Sequence, residues 1–508
     1  MTIQSDLTQA QTLITSALSQ LAVGTTTSTL ISDPIIVKNG DNLQTAIDAA
    51  AVSGQDILIN PGSYQGPFIL RARAVGSRII TIKPNVDISQ LQMNRPTSSP
   101  VTIIPASNIG IGTDKGSYGY ILQSIGVSSP GVNGTMIQID CGSSATSPGT
   151  LADIPSYISI LSCFLDGGNA CKRGILGNGG NIILQDSTVK GVMKTGQDTQ
   201  AFSAAKCPGP FLIQNNFLSA SGETIIFGGD DPNISGMIPS NIIVRGNYVT
   251  KDMAWRTVKG SVKNVIEFKN ANHFLVENNI FENSWIDEQS GFIFELTVRN
   301  QNGGAPWSTI SNGEIRYNVL RHGYQGWNIL GLDDISHVTG GPTNISVPMN
   351  NVDIHDNYAY DIGNAAFADV QGTRIGVSIN NGPVGLTYDH NVILGPLSEF
   401  LALNLGKANR PSQSLKMTNS ILPEGNYGIA GSAWALAVDA ASVFDYNMII
   451  QGTSGRKIVY PGLNNVVIPT MPMTLPFTPP SFITNDRLPI GVLISDLQSR
   501  IPEFDPTK

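Results

Sequence analysis

LVENNI, residues 275 to 280, ends a short apolar run in two polar positions, an asparagine and a further apolar residue, and the same figure returns along the chain. LIQNNF (212 to 217) and IVRGNY (243 to 248) precede it; EIRYNV (314 to 319), DIHDNY (353 to 358) and TYDHNV (387 to 392) follow, and VFDYNM (443 to 448) is a weaker copy. The asparagines Asn216, Asn247, Asn279, Asn318, Asn357 and Asn391 stand 31, 32, 39, 39 and 34 residues apart. Self-similarity at such a spacing is the mark of a stacked repeat, each unit burying its apolar face on the next. Asparagine suits a turn that needs left-handed backbone, and its amide can bond the asparagine of the next repeat.

Between the asparagines lie further short apolar runs: ETIIFG, VIEFK, GFIFELTV, GWNILGL, RIGVSI and FLALNL. Each repeat therefore holds several short strands joined by turns, and the repeats stack in parallel. The reading is all-β, a right-handed parallel β-helix (a solenoid) over about 35 to 450. A propeller is the alternative, but it calls for longer and more even four-stranded repeats. Repeat length varies because one loop swells, around 248 to 263 and 300 to 312, and such insertions gather on one face of a solenoid.

The ends differ from the body. Residues 1 to 24 read as an amphipathic helix with Leu7, Ile14, Leu18 and Leu21 in one seam, to be covered by a partner subunit or by the protein itself. Residues 1 to 34 are thus an N-terminal docking arm. A second short helix is expected near 41 to 52, capped by Asp41, with Leu43, Ile47 and Ala50 on its buried face. After 450 the chain is rich in proline, which cannot extend a hydrogen-bonded ladder. Residues 451 to 508 are read as an irregular Pro-rich extension lying along the body or on a neighbour, ending in one short helix.

Composition sets outer bounds. Charged residues are 13% of the 508, about half the usual quarter, and the formal charge is −8. No basic stripe is present to neutralise phosphates, which argues against nucleic acid. No apolar run approaches the roughly 20 residues of a membrane span. The cysteines Cys141, Cys163, Cys171 and Cys207 contain no C-x-x-C pair, so no zinc site is expected from them. Cys163 and Cys171 either face each other across adjacent turns or are buried free thiols. The first residues lack the basic and apolar regions of a secretory signal, so an extracellular role would require another exit.

In VIEFK, period-two alternation places Ile266 and Phe268 on one face and Glu267 and Lys269 on the other. In GFIFELTVRN it turns Phe292, Phe294 and Leu296 inward and Glu295, Thr297 and Arg299 outward. Stacked strands lie about 4.8 Å apart. If VIEFK aligns with IFELT, Glu267 meets Glu295, with Lys269 and Arg299 beside them. Two carboxylates one rung apart repel unless a cation or proton lies between them. The bland reading is an exposed E-x-K pair on a solvated strand.

Several resemblances bear on these residues. The helix leading into DILINPGSYQGPFIL resembles the entry of pectate-lyase-like right-handed β-helices, where a helix covers the first coil. Glu267, Lys269, the NIF at 279 to 281 and Arg299 resemble a motif of the chondroitinase B and alginate lyase family. That resemblance implies carboxylates holding Ca²⁺ on a uronate, Lys269 taking the C5 proton, and Arg299 or water assisting the leaving oxygen. The family arginine sits in an L-R-H-G context, a string found here at 320 to 323, so Arg321 and His322 compete with Arg299 for the assignment. The strings GQDTQAF (196 to 202), PGPFLIQNNF (208 to 217), GETIIFGGDDP (222 to 232), WIDEQSGF (285 to 292) and RNQNGGAPWS (299 to 308) look like an uncharacterised group of bacterial right-handed β-helix repeat proteins. Those motifs bring a fold but no reaction.

Further candidates are read from residue type. Asp230, Asp231, Asp287, Asp333 and Asp334 stand at strand ends and either bind Ca²⁺ and sugar hydroxyls or cap turns. Trp255, Trp285, Trp307 and Trp327 lie within about three repeats and offer sugar platforms or fill loop junctions. No two of His273, His322, His337, His355 and His390 stand at metal-ligand spacing. Three functions fit. The first is a phage virion surface protein of tailspike type, a homotrimer that binds host polysaccharide in the β-helix groove and cleaves it by lyase chemistry if it is an enzyme. Only 34 residues precede the β-helix, which leaves little room for a tailspike's usual anchoring domain. The second is a structural capsid-decoration or tail subunit without activity, docking on other virion proteins through residues 1 to 24 and the C-terminal tail. The third is a cellular, extracellular Ca²⁺-dependent polysaccharide lyase.

Overall fold

The computed structural model describes residues 33–128, 134–141, 148–333, 345–367, 372–470, 484, 486 and 490–506. The N-terminal seam, Asp334, His337 and most of the Pro-rich stretch lie outside the described residues. The chain divides into two compact units, the first ending at Tyr248 and the second beginning at Val249. Each is built from three parallel sheets, and from Ile57–Ile59 to Met448–Ile450 successive strands fall in successive sheets, so that each coil between them adds one rung to each. This is the right-handed parallel β-helix.

In the first unit the chain enters through a strand, Ile35–Val37, and a helix, Leu43–Ser53, whose Leu43, Ala46, Ile47 and Ala50 are buried. The N-cap is Asn42, not Asp41: its side chain accepts from Gln44 N and Thr45 N at 2.9 and 3.4 Å. Asp41 instead accepts from Lys38 N at 2.7 Å. Gly54 closes the helix in the left-handed region, φ 76°. Phe68–Leu70 forms the end strand of its sheet, and Gln44 meets its open edge. Its Oε1 accepts from Ile69 N at 2.7 Å, and its Nε2 donates to Ile69 O at 3.0 Å. The helix thus completes an edge that would otherwise present unpaired backbone.

The second unit carries the asparagine ladder in its longest form. Asn279 donates N–H and Nδ2–H to Asn318 Oδ1, at 3.0 and 2.9 Å. Asn318 repeats this on Asn357, and Asn357 on Asn391, all at 3.0 Å. Ser420 then takes the place of an asparagine before Asn447 and Asn465 resume the series. In the first unit Ser187 and Asn216 bond Asn216 and Asn247 in the same way. The ladder asparagines do not hold the left-handed backbone themselves. That conformation belongs to the residue before each: Asn215, Gly246, Asn278, Tyr317, Asp356 and His390, with φ between 49° and 64°. The asparagine is needed for its amide, which ties one buried turn to the next.

Parallel pairing continues past 450, since Val466–Ile468 pairs with Met448–Ile450. The helix at Ile494–Arg500 is present, and residues around it return to the second unit. Leu497, Ile501 and Phe504 are buried, and the Phe504 ring lies 6.1 and 6.4 Å from Tyr358 and Tyr360. All four cysteines are free and buried. No helix among the described residues is long and apolar enough to cross a membrane.

Candidate functional site

The strands Ile266–Phe268, Phe292–Thr297, Gln325–Leu330, Ile375–Asn380 and Glu399–Asn404 stack in one sheet of the second unit. Register sets the columns. Ile266, Phe294, Trp327, Val377 and Leu401 align and face the core. Phe294 stacks on Trp327 with centroids 4.7 Å apart, and Phe268 stacks on Phe274 at 4.8 Å. The next column turns outward and runs Glu267, Glu295, Asn328, Ser378. Glu267 therefore sits one rung from Glu295, as the alternation predicts.

The solvated-strand reading does not describe this pair. Glu267 and Glu295 are 1% and 6% exposed although they face away from the coil interior. Neighbours bond Glu267 directly. Thr297 Oγ1 donates to Glu267 Oε1 at 2.8 Å, and Asn264 Nδ2 donates to Glu267 Oε2 at 3.1 Å. Lys269 Nζ lies 3.7 Å from Glu267 Oε1 and supplies a cation beside the paired carboxylates. Arg299 N donates to Lys269 O at 3.0 Å, so the two basic residues are neighbours in the stack. The Arg299 guanidinium is 3.3 Å from Asp333 Oδ1, and Asp333 Oδ2 accepts from Asn300 N at 2.9 Å. Glu267, Lys269, Glu295 and Arg299 are thus brought together, with Asp333, Asn264 and Thr297 as their partners.

Asn264 Oδ1 is buried with no hydrogen-bond partner, while its Nδ2 bridges Glu267 and Gln289. Asn264 Oδ1 and the carboxylates of Glu267 and Glu295 are oxygen donors, the ligand type that Ca²⁺ takes. Asp230 and Asp231 belong to the first unit, where Asp230 is engaged by Lys206 at 2.7 Å. Asp287, read as a strand-end candidate, accepts Val262 N at 2.9 Å and fixes a turn.

Arg321 and His322 form a different cluster, on another sheet. Arg321 stands in register between Glu282 and Tyr360. It donates to Glu282 Oε2 at 2.6 Å and to Tyr360 Oη at 3.1 Å. Burial disfavours its charge, but these two partners more than compensate and hold the guanidinium firmly protonated. His322 Nδ1 is 2.8 Å from Asp361 Oδ2. Of the two arginines, Arg299 is the one whose backbone N–H bonds Lys269 O, whereas Arg321 lies on another sheet.

Three of the four tryptophans assigned to sugar stacking have no open face. Trp255, Trp285 and Trp327 are 2%, 2% and 1% exposed, and the Arg256 guanidinium lies 5.9 Å from the Trp285 ring centroid. Trp327 was recoverable from the sequence, because the alternation that turns Phe294 inward places the tryptophan one rung on in the same column. Trp307 alone of the four is partly exposed. Thr297 and Asn264 went unassigned by sequence, since their role depends on cross-coil register and on a covering loop.

No family model matches the chain, and no curated protein matches it. Among solved structures it is similar to a mannuronic-acid-specific polysaccharide family 6 lyase from human gut microbiota. The identity is 11%, the match covers 87% of this chain and 91% of that one, and the TM-score is 0.50. A variant of the PL6 family alginate lyase AlyGC matches 94% of this chain but 57% of its own, at 12% identity and TM-score 0.48; this chain thus spans little more than half of that enzyme. The Dettilon tailspike protein matches at 10% identity and TM-score 0.35 over 87% of this chain and 67% of its own. At these identities the likeness is one of fold, the right-handed parallel β-helix.

Proposed function

We propose that this protein is a polysaccharide-binding β-helix of the virion surface, of tailspike type. It takes a uronate polymer at the Glu267–Lys269–Glu295–Arg299 cluster and cleaves it by β-elimination. The observation that carries the reading is the register pair Glu267 and Glu295, with Lys269 against it and Arg299 bonded to Lys269. Lysine and arginine adjoining an oxygen-rich corner suit a polymer with one carboxylate per sugar. In the elimination Lys269 Nζ takes the proton from C5, that electron pair forms the C4–C5 double bond, and the C4–O bond breaks. The leaving oxygen takes a proton from solvent or from Lys269, with Arg299 stabilising its charge. Ca²⁺ held by Asn264, Glu267 and Glu295 would neutralise the uronate carboxylate and ease proton loss beside it. Lys269 Nζ, paired with Glu267, has to leave that carboxylate to reach a sugar. Assembly as a homotrimer, with residues 1 to 24 against other virion proteins, belongs to the same proposal.

A second reading, a structural subunit with a silent groove, is favoured by the near-complete burial of both carboxylates and the internal pairing of both cations. The two separate in one assay. The protein is incubated with alginate, with polygalacturonate and with a glycosaminoglycan, with Ca²⁺ or with chelator, and the ultraviolet absorbance of the new double bond is followed. Product formed by the wild type and lost in Lys269→Ala supports the enzyme. Tight binding without product retains the polysaccharide partner and removes the reaction; neither binding nor product leaves the structural subunit.

A further inference from the structure

A second constellation lies in the second unit, on a different sheet from Lys269. Asp389 ends the strand Val384–Asp389, and His390 follows it in the left-handed turn, φ 49°. Asp389 Oδ1 accepts from Thr418 Oγ1 at 2.6 Å and Asn419 Nδ2 at 2.8 Å, while Oδ2 faces His390 Nδ1 at 2.9 Å. The imidazole is thereby fixed in place. His390 is 6% exposed, and its Nε2 is buried without a hydrogen-bond partner. That nitrogen points at a carboxylate from the C-terminal segment, with Asp486 Oδ2 3.5 Å away. One ligand atom from each of Asp389, His390 and Asp486 lies within 4.8 Å of the others.

With Nδ1–H donating to Asp389, Nε2 presents a bare lone pair to a carboxylate oxygen. Two acceptors at this range repel, so a positive species belongs between them. A proton or a metal ion would serve, and the spacing points to the metal. Zinc holds imidazole nitrogen and carboxylate oxygen each at about 2.0–2.2 Å in tetrahedral array, which sets the two ligand atoms about 3.3–3.5 Å apart. A carboxylate on the far ring nitrogen, the place Asp389 occupies, is the usual outer support of a metal-bound histidine.

We infer that His390 Nε2 and Asp486 bind a divalent cation of the zinc type, with Asp389 as the positioning residue, and that the ion clips the C-terminal segment to the coil. The segment docks beside this turn: Gly491 N donates to Asn419 O at 3.0 Å, and Ile490 and Val492 are 2% and 3% exposed. Asn419 is the residue whose side chain also holds Asp389.

The test uses the full chain, stripped with EDTA and titrated with ZnCl₂ by calorimetry. Amide exchange of Val492 and Leu497 is read in parallel. The expected result is one equivalent of zinc, with Asp389→Asn weakening its uptake about tenfold to a hundredfold. Asp486→Asn, in a side chain 40% exposed, removes a ligand without threatening the core and should weaken uptake at least as much. Amide protection of the segment should fall in EDTA and return with zinc. Absence of stoichiometric uptake, or equal uptake by Asp486→Asn and wild type, overturns the assignment. Protection indifferent to zinc but lost as pH rises would give the gap to a proton and overturn it too.

Discussion

Replacing Asn318 by alanine tests the stack at its most connected rung. Asn318 is fully buried and is not in the left-handed region, so alanine brings no backbone relief. Its Oδ1 accepts from Asn279 N and Asn279 Nδ2. Its Nδ2 donates to Val276 O at 2.9 Å, Arg316 O at 3.0 Å and Asn357 Oδ1 at 3.0 Å. Alanine leaves at least the Asn279 backbone N–H without its acceptor, and strips partners from neighbours that water cannot reach. A buried group left unsatisfied costs about 1–3 kcal/mol. Asn279 Nδ2 keeps Glu277 O at 3.0 Å, so one donor is left unsatisfied and the loss is about 1–3 kcal/mol. Denaturant unfolding followed by tryptophan fluorescence is the assay, because Trp327 is buried in the core of the same unit. Asn380→Ala, which gives up one partly exposed bond to Ser378 Oγ, is the control and should cost no more than about 0.5 kcal/mol. Equal midpoints for Asn318→Ala and Asn380→Ala would refute the claim that the asparagine ladder holds the coils together.

Two further outcomes follow from buried ionisable groups. Burial disfavours charge on His355, but its bonds to Asp356 Oδ2 and Glu314 Oε1, at 2.8 and 3.1 Å, outweigh that and raise its pKa to about 9 from an ordinary 6.5. A raised folded-state pKa adds stability that is complete below 6.5 and fades as pH rises through about 9, here about 3 kcal/mol in all. The difference between wild type and His355→Gln in urea midpoint should therefore shrink across that window; a difference independent of pH would contradict it. Burial pushes the Cys141 and Cys163 thiols up to about 12 and raises Cys207 as well. An aromatic disulfide reagent at mildly alkaline pH should label no cysteine in the native protein and all four after unfolding; rapid native labelling would contradict the packing.

The sequence reveals the coil more readily than its surface. Alternation in VIEFK and FIFELT suffices to predict that Glu267 meets Glu295, because period two and a common register leave no other outward neighbour. It is silent on cover. Nothing in the spacing says that Asn264 folds over Glu267, or that Asp333, on the following coil, takes the Arg299 guanidinium. The left-handed turn position was misplaced by one residue because its occupants are chemically mixed, among them Tyr317, Asp356 and His390, whereas the asparagine beside them repeats. The N-cap moved from Asp41 to Asn42 for a similar reason: both residue types cap helices, and a one-residue shift is invisible to periodicity. The contact of His390 with Asp486 crosses almost a hundred residues, and no local pattern announces it.

In the proposed function, stacking assembles Lys269 and Arg299 into a receptor for an anionic sugar chain. Calorimetry with a uronate oligosaccharide tests it directly, using wild type, Lys269→Ala and Arg299→Ala, and a carboxyl-reduced oligosaccharide as the uncharged control. Loss of one desolvated, charge-assisted contact costs about 1.5–3 kcal/mol, so each variant should bind at least about tenfold more weakly, and the reduced sugar should bind all three alike. Equal affinity of the three proteins for the charged oligosaccharide would contradict the account.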